Sequence, residues 1–177
     1  MRLFGEKGYA ASSLEEIALA AGMPVGAVYQ HYRSKRQLLL SLMNDLLAAL
    51  GELSLEPRPG QDARAILRDL LQQAFERDLR YLGAYRAWRE ALLSDDDLAQ
   101  KQRLIHRWTS ARVGAVFQRL ARLPGARPDV DIEGTARVLD SLFWELLAQA
   151  ARRRDVHLER AVAATVHLIY HALFIDG

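Results

Sequence analysis

Two histidines, His167 and His171, stand four residues apart, a spacing that places both imidazoles on one helix face and could begin a metal site. Neither a Glu-x-x-His motif nor a third ligand accompanies them, so they read as interface or core histidines, and no metal is expected. The chain has no cysteine, which excludes disulfides, thiolate zinc sites and a cysteine nucleophile together. It carries no glycine-rich phosphate loop and no nucleophile motif, so no cofactor is implied and an enzyme is not expected. What remains is recognition by hydrogen bonds, charge and shape.

The charge pattern fits that reading only locally. The net charge of +2 over 177 residues is too small to indicate nucleic acid by itself. Between Lys101 and Arg127, however, seven basic residues occur with no acidic one, bounded by Asp95, Asp96 and Asp97 before and by Asp129, Asp131 and Glu133 after. Such a run reads first as a solvated helix face and second as a surface for an acidic ligand or DNA. Half the residues are apolar, enough for a real core, and no apolar run reaches the 18 residues of a membrane span. Without the plan of a signal peptide the chain reads as cytoplasmic, with no membrane partner.

The elements that must position any binding residues are helices throughout. Long segments carry the helical period, none alternates like a strand, and the fold class is all-α. Loops are expected at 54–60 and 123–129, where proline and glycine cluster. The first loop divides the chain into domains at 1–53 and 54–177. In the N-terminal part, Met1 to Lys7 stops at Gly8. Ser12 precedes Glu15, and Ser13 precedes Glu16, at capping-box spacing. A helix is predicted from Ser13 to Ala21, burying Leu14, Ile17, Ala18 and Ala21, and Gly22 ends it. Pro24 suits the first turn of a short helix over 25–32. Ser34 then caps a long helix with Leu38, Leu42, Leu46 and Leu50 on one stripe.

A helix, a tight turn at Gly22 and a short second helix make a helix-turn-helix. The second helix crosses the first steeply, and its outer face can enter a major groove about 12 Å wide. Val28 and Tyr32 point inward, which leaves Val25, Gly26, Ala27, Tyr29, Gln30 and His31 at least partly exposed.

These residues resemble a known family. Leu3-Phe4-Gly5-Glu6-Lys7-Gly8-Tyr9, Ser12 to Ala18, Ala20 to Met23, Val25 to Tyr32 and Arg33 to Leu39 are similar to the DNA-binding domain of tetracycline-repressor-like (TetR family) regulators. The likeness runs without a gap from Leu3 to about Leu42. It implies a sequence-specific transcriptional regulator, in the main a repressor, released from a palindromic operator by a small apolar or amphipathic ligand. It also implies that Val25, Gly26, Ala27 and Gln30 reach bases, that Tyr29 and His31 make backbone contacts, and that Ser12, Ser13 and Lys35 meet phosphate. The chemistry agrees: glutamine can pair with adenine N6 and N7, small apolar groups can touch a thymine methyl, and hydroxyls and lysine suit phosphate. In that family the first helix begins two to three turns before Leu3, so the first helix here reads as truncated. A helical small-molecule-binding dimer without operator binding is the alternative this shortening raises.

Beyond the first loop, helices are predicted at 62–81, 84–93, 96–122, 131–153 and 156–174. The resemblance makes this part a ligand-binding and dimerisation domain. Aromatic and polar residues suggest a pocket of Tyr85, Trp88, Arg89, His106, Trp108, Arg112 and Phe117. The last two helices carry broad apolar stripes, and the family forms homodimers through the equivalent pair. The expected interface comprises Leu139, Leu142, Phe143, Leu146, Val162, Val166, Ile169 and Leu173.

Overall fold

The computed structural model describes residues 2–52, 61–152 and 158–175. Among them the regular elements are nine helices: α1 (Arg2–Lys7), α2 (Leu14–Ala20), α3 (Val25–His31), α4 (Lys35–Gly51), α5 (Ala63–Arg80), α6 (Leu82–Ala91), α7 (Asp96–Leu120), α8 (Ile132–Arg152) and α9 (Leu158–Leu173). An isolated antiparallel bridge joins Ala126 to Phe174. The loop predicted at 54–60 lies outside the described residues.

Five helices start in the same way. The side chains of Ser13, Ser34, Asp62, Asp95 and Asp131 accept hydrogen bonds from the backbone N–H groups of Glu16, Gln37, Ala65, Leu98 and Gly134, each three residues on. Each cap satisfies one amide that the first helical turn leaves without a partner. At α2 the box is complete, because the Glu16 carboxylate accepts from the Ser13 N–H at 3.1 Å. Gly22 makes the turn to α3 at a φ of +67°, where a Cβ would be strained.

The described chain forms two compact units. The first gathers Met1–Glu52, Arg77–Gln100 and Leu147–Arg154; the second gathers Leu53–Glu76, Lys101–Leu146 and Asp155–Gly177. In the first, α1 and α4 lie against α6, and α2 packs on α3. Phe4, Leu39, Met43, Leu46, Tyr85 and Trp88 are buried there. Leu14, Ala18 and Val28 form a small separate cluster, with Tyr32 and Leu38 packed on it. The inward stripe of α4 is therefore Leu39, Met43 and Leu46; the predicted Leu38, Leu42 and Leu50 are only half-buried. Ala21, expected inside, is the exposed C-cap of α2.

The core of the second unit includes Ile66, Leu67, Phe75, Phe117, Leu120, Ala136, Val162, Val166, Ile169, Leu173 and Phe174. This corrects part of the expected dimer interface. Val162, Val166, Ile169 and Leu173 are at most 4% exposed and fill the core of their own chain, so they offer no surface to a second copy. Leu139, Phe143 and Leu146 pack half-buried against the same core, and Leu142 is also half-buried. Among the described residues, the large apolar side chains exposed on α8 and α9 are Val138 and Leu168, 68% and 51% exposed.

Candidate nucleic-acid interface

The outer face of α3 is laid out as its spacing predicts. Val28 is buried, Ala27 half-buried, and Val25, Gly26, Tyr29, Gln30 and His31 are exposed. One continuous surface thus offers an apolar group, an open backbone position, a phenol, an amide and an imidazole. Exposed Tyr29 donates a hydrogen bond to the Glu15 carboxylate on α2. That bond is the main cause of a lowered pKa at Glu15 and a raised one at Tyr29.

The proposed phosphate contacts divide. Ser13 remains half-exposed at the N-terminus of α2. Ser12 does not fit its expected role: it is 4% exposed, and its hydroxyl donates to the Gly8 carbonyl at 2.6 Å. Lys35 Nζ likewise points into the protein, lying 2.9, 3.0 and 3.0 Å from the carbonyl oxygens of Tyr9, Ala10 and Ser12. An ammonium has three N–H donors, and three carbonyls take them. The exposed cation that follows α3 is Arg33, whose guanidinium has no ion-pair partner among the described residues. Its place directly after the exposed helix face is the signal in the sequence that marks it.

Charged side chains brace this region from outside the helix-turn-helix. Glu90, on α6, accepts from the N–H groups of Tyr9 at 2.7 Å and Ala10 at 2.9 Å. Those two bonds, Ala10's first, hold its carboxyl below the usual range. Arg36 pairs with Asp95 through Nε at 2.6 Å and Nη2 at 3.3 Å, and reaches Asp97 at 3.3 Å. Arg86 donates to the Gly5 carbonyl at 2.5 Å.

The expected pocket residues are split between the units. Tyr85 and Trp88 are buried and Arg89 exposed in the first unit; Phe117 is buried in the core of the second. Also in the second, exposed Trp108 lies 5.4 Å from the Arg112 guanidinium, and His106 lies edge-on to Trp144. His106 Nδ1 is 3.8 Å from buried Asp140, whose pKa burial raises. Trp144 donates to Thr109 at 3.3 Å. A further group has no signal in the sequence: Asp78 on α5 is 1% exposed, neither carboxylate oxygen has a hydrogen-bond partner among the described residues, and burial pushes its pKa up to about 7.

A capped helix, a glycine turn and a short second helix with a polar outer face define a helix-turn-helix. The pattern of the bacterial regulatory proteins of the tetR family matches residues 1–42. The chain is 38% identical over 79 residues to the HTH-type transcriptional regulator AcrR of Shigella flexneri, covering 43% of this chain and 36% of that one. It is 51% identical over 41 residues to the uncharacterized HTH-type transcriptional regulator YerO of Bacillus subtilis (strain 168), covering 23% and 14%. These matches span about a third and a seventh of the two relatives. The fold resembles that of SmeT, solved as a triclosan complex, with a TM-score of 0.72, 23% identity, and coverage of 99% of this chain and 88% of that chain. It also resembles a transcriptional regulator from Rhodococcus sp. Rha1, with a TM-score of 0.66, 22% identity, and coverage of 99% and 95%. Residues 1–42 thus carry the tetR-family pattern, and the described chain shares the fold of these solved proteins.

Proposed function

We propose that the chain is a cytoplasmic homodimeric repressor that binds a palindromic operator and leaves it when a small apolar or amphipathic molecule binds. Residues 1–53 read the DNA and 54–177 sense the effector and dimerise. The observation that carries this reading is the exposed face of α3. Val25, Gly26, Ala27 and Gln30 face base edges, while Tyr29, His31, Ser13 and Arg33 meet the backbone. Dimerisation through the outward sides of α8 and α9, where Val138, Leu142 and Leu168 lie, would repeat the reading helix at the spacing of a palindrome. The bound triclosan of SmeT supports an effector of apolar character.

Fluorescence anisotropy with duplexes from the DNA flanking the gene, at two salt concentrations and against random duplex, tests the proposal. Tight, salt-dependent binding that survives the competitor is expected; binding equal to that of random DNA would leave a ligand-binding dimer without an operator. Gln30→Ala should lose discrimination at one base position, worth about 1–3 kcal/mol. A loss that is uniform over all sequences would remove Gln30 from base reading.

A further inference from the structure

The turn between α1 and α2 is held from two sides by opposite charges. Its carbonyls at Tyr9, Ala10 and Ser12 converge on Lys35 Nζ, which also lies 4.7 Å from the centre of the Tyr9 ring. Its N–H groups at Tyr9 and Ala10 converge on the two oxygens of Glu90. Gly8 opens the turn at a φ of +86°, where a side chain is strained, and a Cβ there would stand 2.5 Å from Glu90 Oε2 and push the carboxylate from its place. The residue that leaves the turn is Ser13, the cap of α2, and α2 is the element on which α3 packs.

We propose that Lys35 and Glu90 are positioning residues for DNA recognition, which clamp the α1–α2 turn between a cation and an anion and so set the N-terminus of α2 and the seat of α3. Lys35 acts through the turn, with its donors on backbone carbonyls, and not by touching phosphate. Glu90 lies 59 residues beyond the end of α3 in sequence, yet holds the backbone of the turn that leads into α2. This inference rests on the operator-binding reading and adds to it two residues that never meet the DNA.

Charge alone and clamping predict opposite results. If Lys35 contacted phosphate, Lys35→Met would lower the slope of log K against log salt by about 0.9, and Lys35→Arg would retain binding. If Glu90 acted only as a negative charge, Glu90→Gln would tighten binding to DNA. The clamp predicts that Lys35→Met and Glu90→Gln each weaken operator binding roughly ten-fold with the salt slope unchanged. It also predicts that Lys35→Arg fails to rescue, because a planar guanidinium cannot aim three donors at three convergent carbonyls. In the double variant the losses should fall short of additive, since both act on one turn.

Amide exchange provides a readout that needs no DNA. Tyr9 and Ala10 should exchange slowly in the wild type and fast in Glu90→Gln, a variant mild enough to keep the fold if Lys35→Met does not. Tighter binding by Glu90→Gln, or a one-unit fall in slope with rescue by arginine, would overturn the proposal. Fast exchange of both amides in the wild type would remove the clamp itself. A wild type that shows protected amides but no specific binding would instead sink the operator reading, and the recognition role with it.

Discussion

The helix-turn-helix encloses Leu14, Ala18 and Val28, with Tyr32 and Leu38 at their edge, whereas the second unit buries a continuous set from Ile66 through Phe117 to Phe174. The helix-turn-helix leaves its outer face exposed and has little apolar surface left to turn inward. Its shape relies on the Ser13–Glu16 box, the Lys7–Glu16 pair at 2.7 Å, and the charges on the 8–12 turn. The second core relies on apolar area, at about 25 cal/mol per Å² removed from water. Directional, polar bonds hold a small element in a fixed pose; area holds a large one together.

The largest test of that contrast is Phe117→Ala, which should cost about 3–5 kcal/mol in denaturant unfolding, against about 2 kcal/mol for Val28→Ala. Comparable losses would mean that the small cluster matters as much as the large core. Next come the carboxylates, which divide by sign. Glu90 is held low by backbone N–H groups, so its contribution is present above the ordinary carboxylate range and fades as pH falls. Asp78 is raised to about 7 by burial, so its sign is reversed: stability is fully present below its ordinary value and is lost as pH rises through 7. Asp78→Asn should therefore stabilise the protein at pH 8, by up to about 4 kcal/mol on the linkage relation, and change little at pH 4. A pH-independent effect would show that Asp78 is solvated or paired in solution. The smallest effect expected is that of Ser13→Ala, about 1 kcal/mol, read as faster amide exchange in α2. Unchanged exchange there would mean that packing, and not the cap, defines the start of α2.

The local grammar of the chain is legible in its residues alone. Ser13 and Ser34 as caps, Gly8 and Gly22 as stops and Pro24 before α3 act within one or two turns of themselves, and the structure has them in those roles. The limits of the later helices follow from period and punctuation for the same reason. Which face turns inward is a different matter, because the neighbouring helix decides it. The leucine-rich α4 could offer Leu38, Leu42 and Leu50 as readily as Leu39, Met43 and Leu46. The stripe on α9 could serve a partner or its own core, and Val162 to Leu173 went to the core. Glu90 has no signature, since its partners are backbone amides about 80 residues away and any carboxylate on a helix looks solvated in sequence. Lys35 and Ser12 are visible as polar groups near the helix-turn-helix; that their donors go to backbone carbonyls depends on the 8–12 turn that brings those carbonyls round.

The reach of Glu90 also bears on how the proposed DNA-binding part can be recombined. A chimera joined after residue 53 would carry α1 to α4 intact and lack both Glu90 and the Asp95 that pairs with Arg36. The recipient protein would have to present a carboxylate at each of those two places, or the transplanted reader would arrive with its first turn unlatched. A graft that keeps α6 through Asp97 with the donor should transfer operator preference more faithfully, which places the natural seam for engineering well past the first loop.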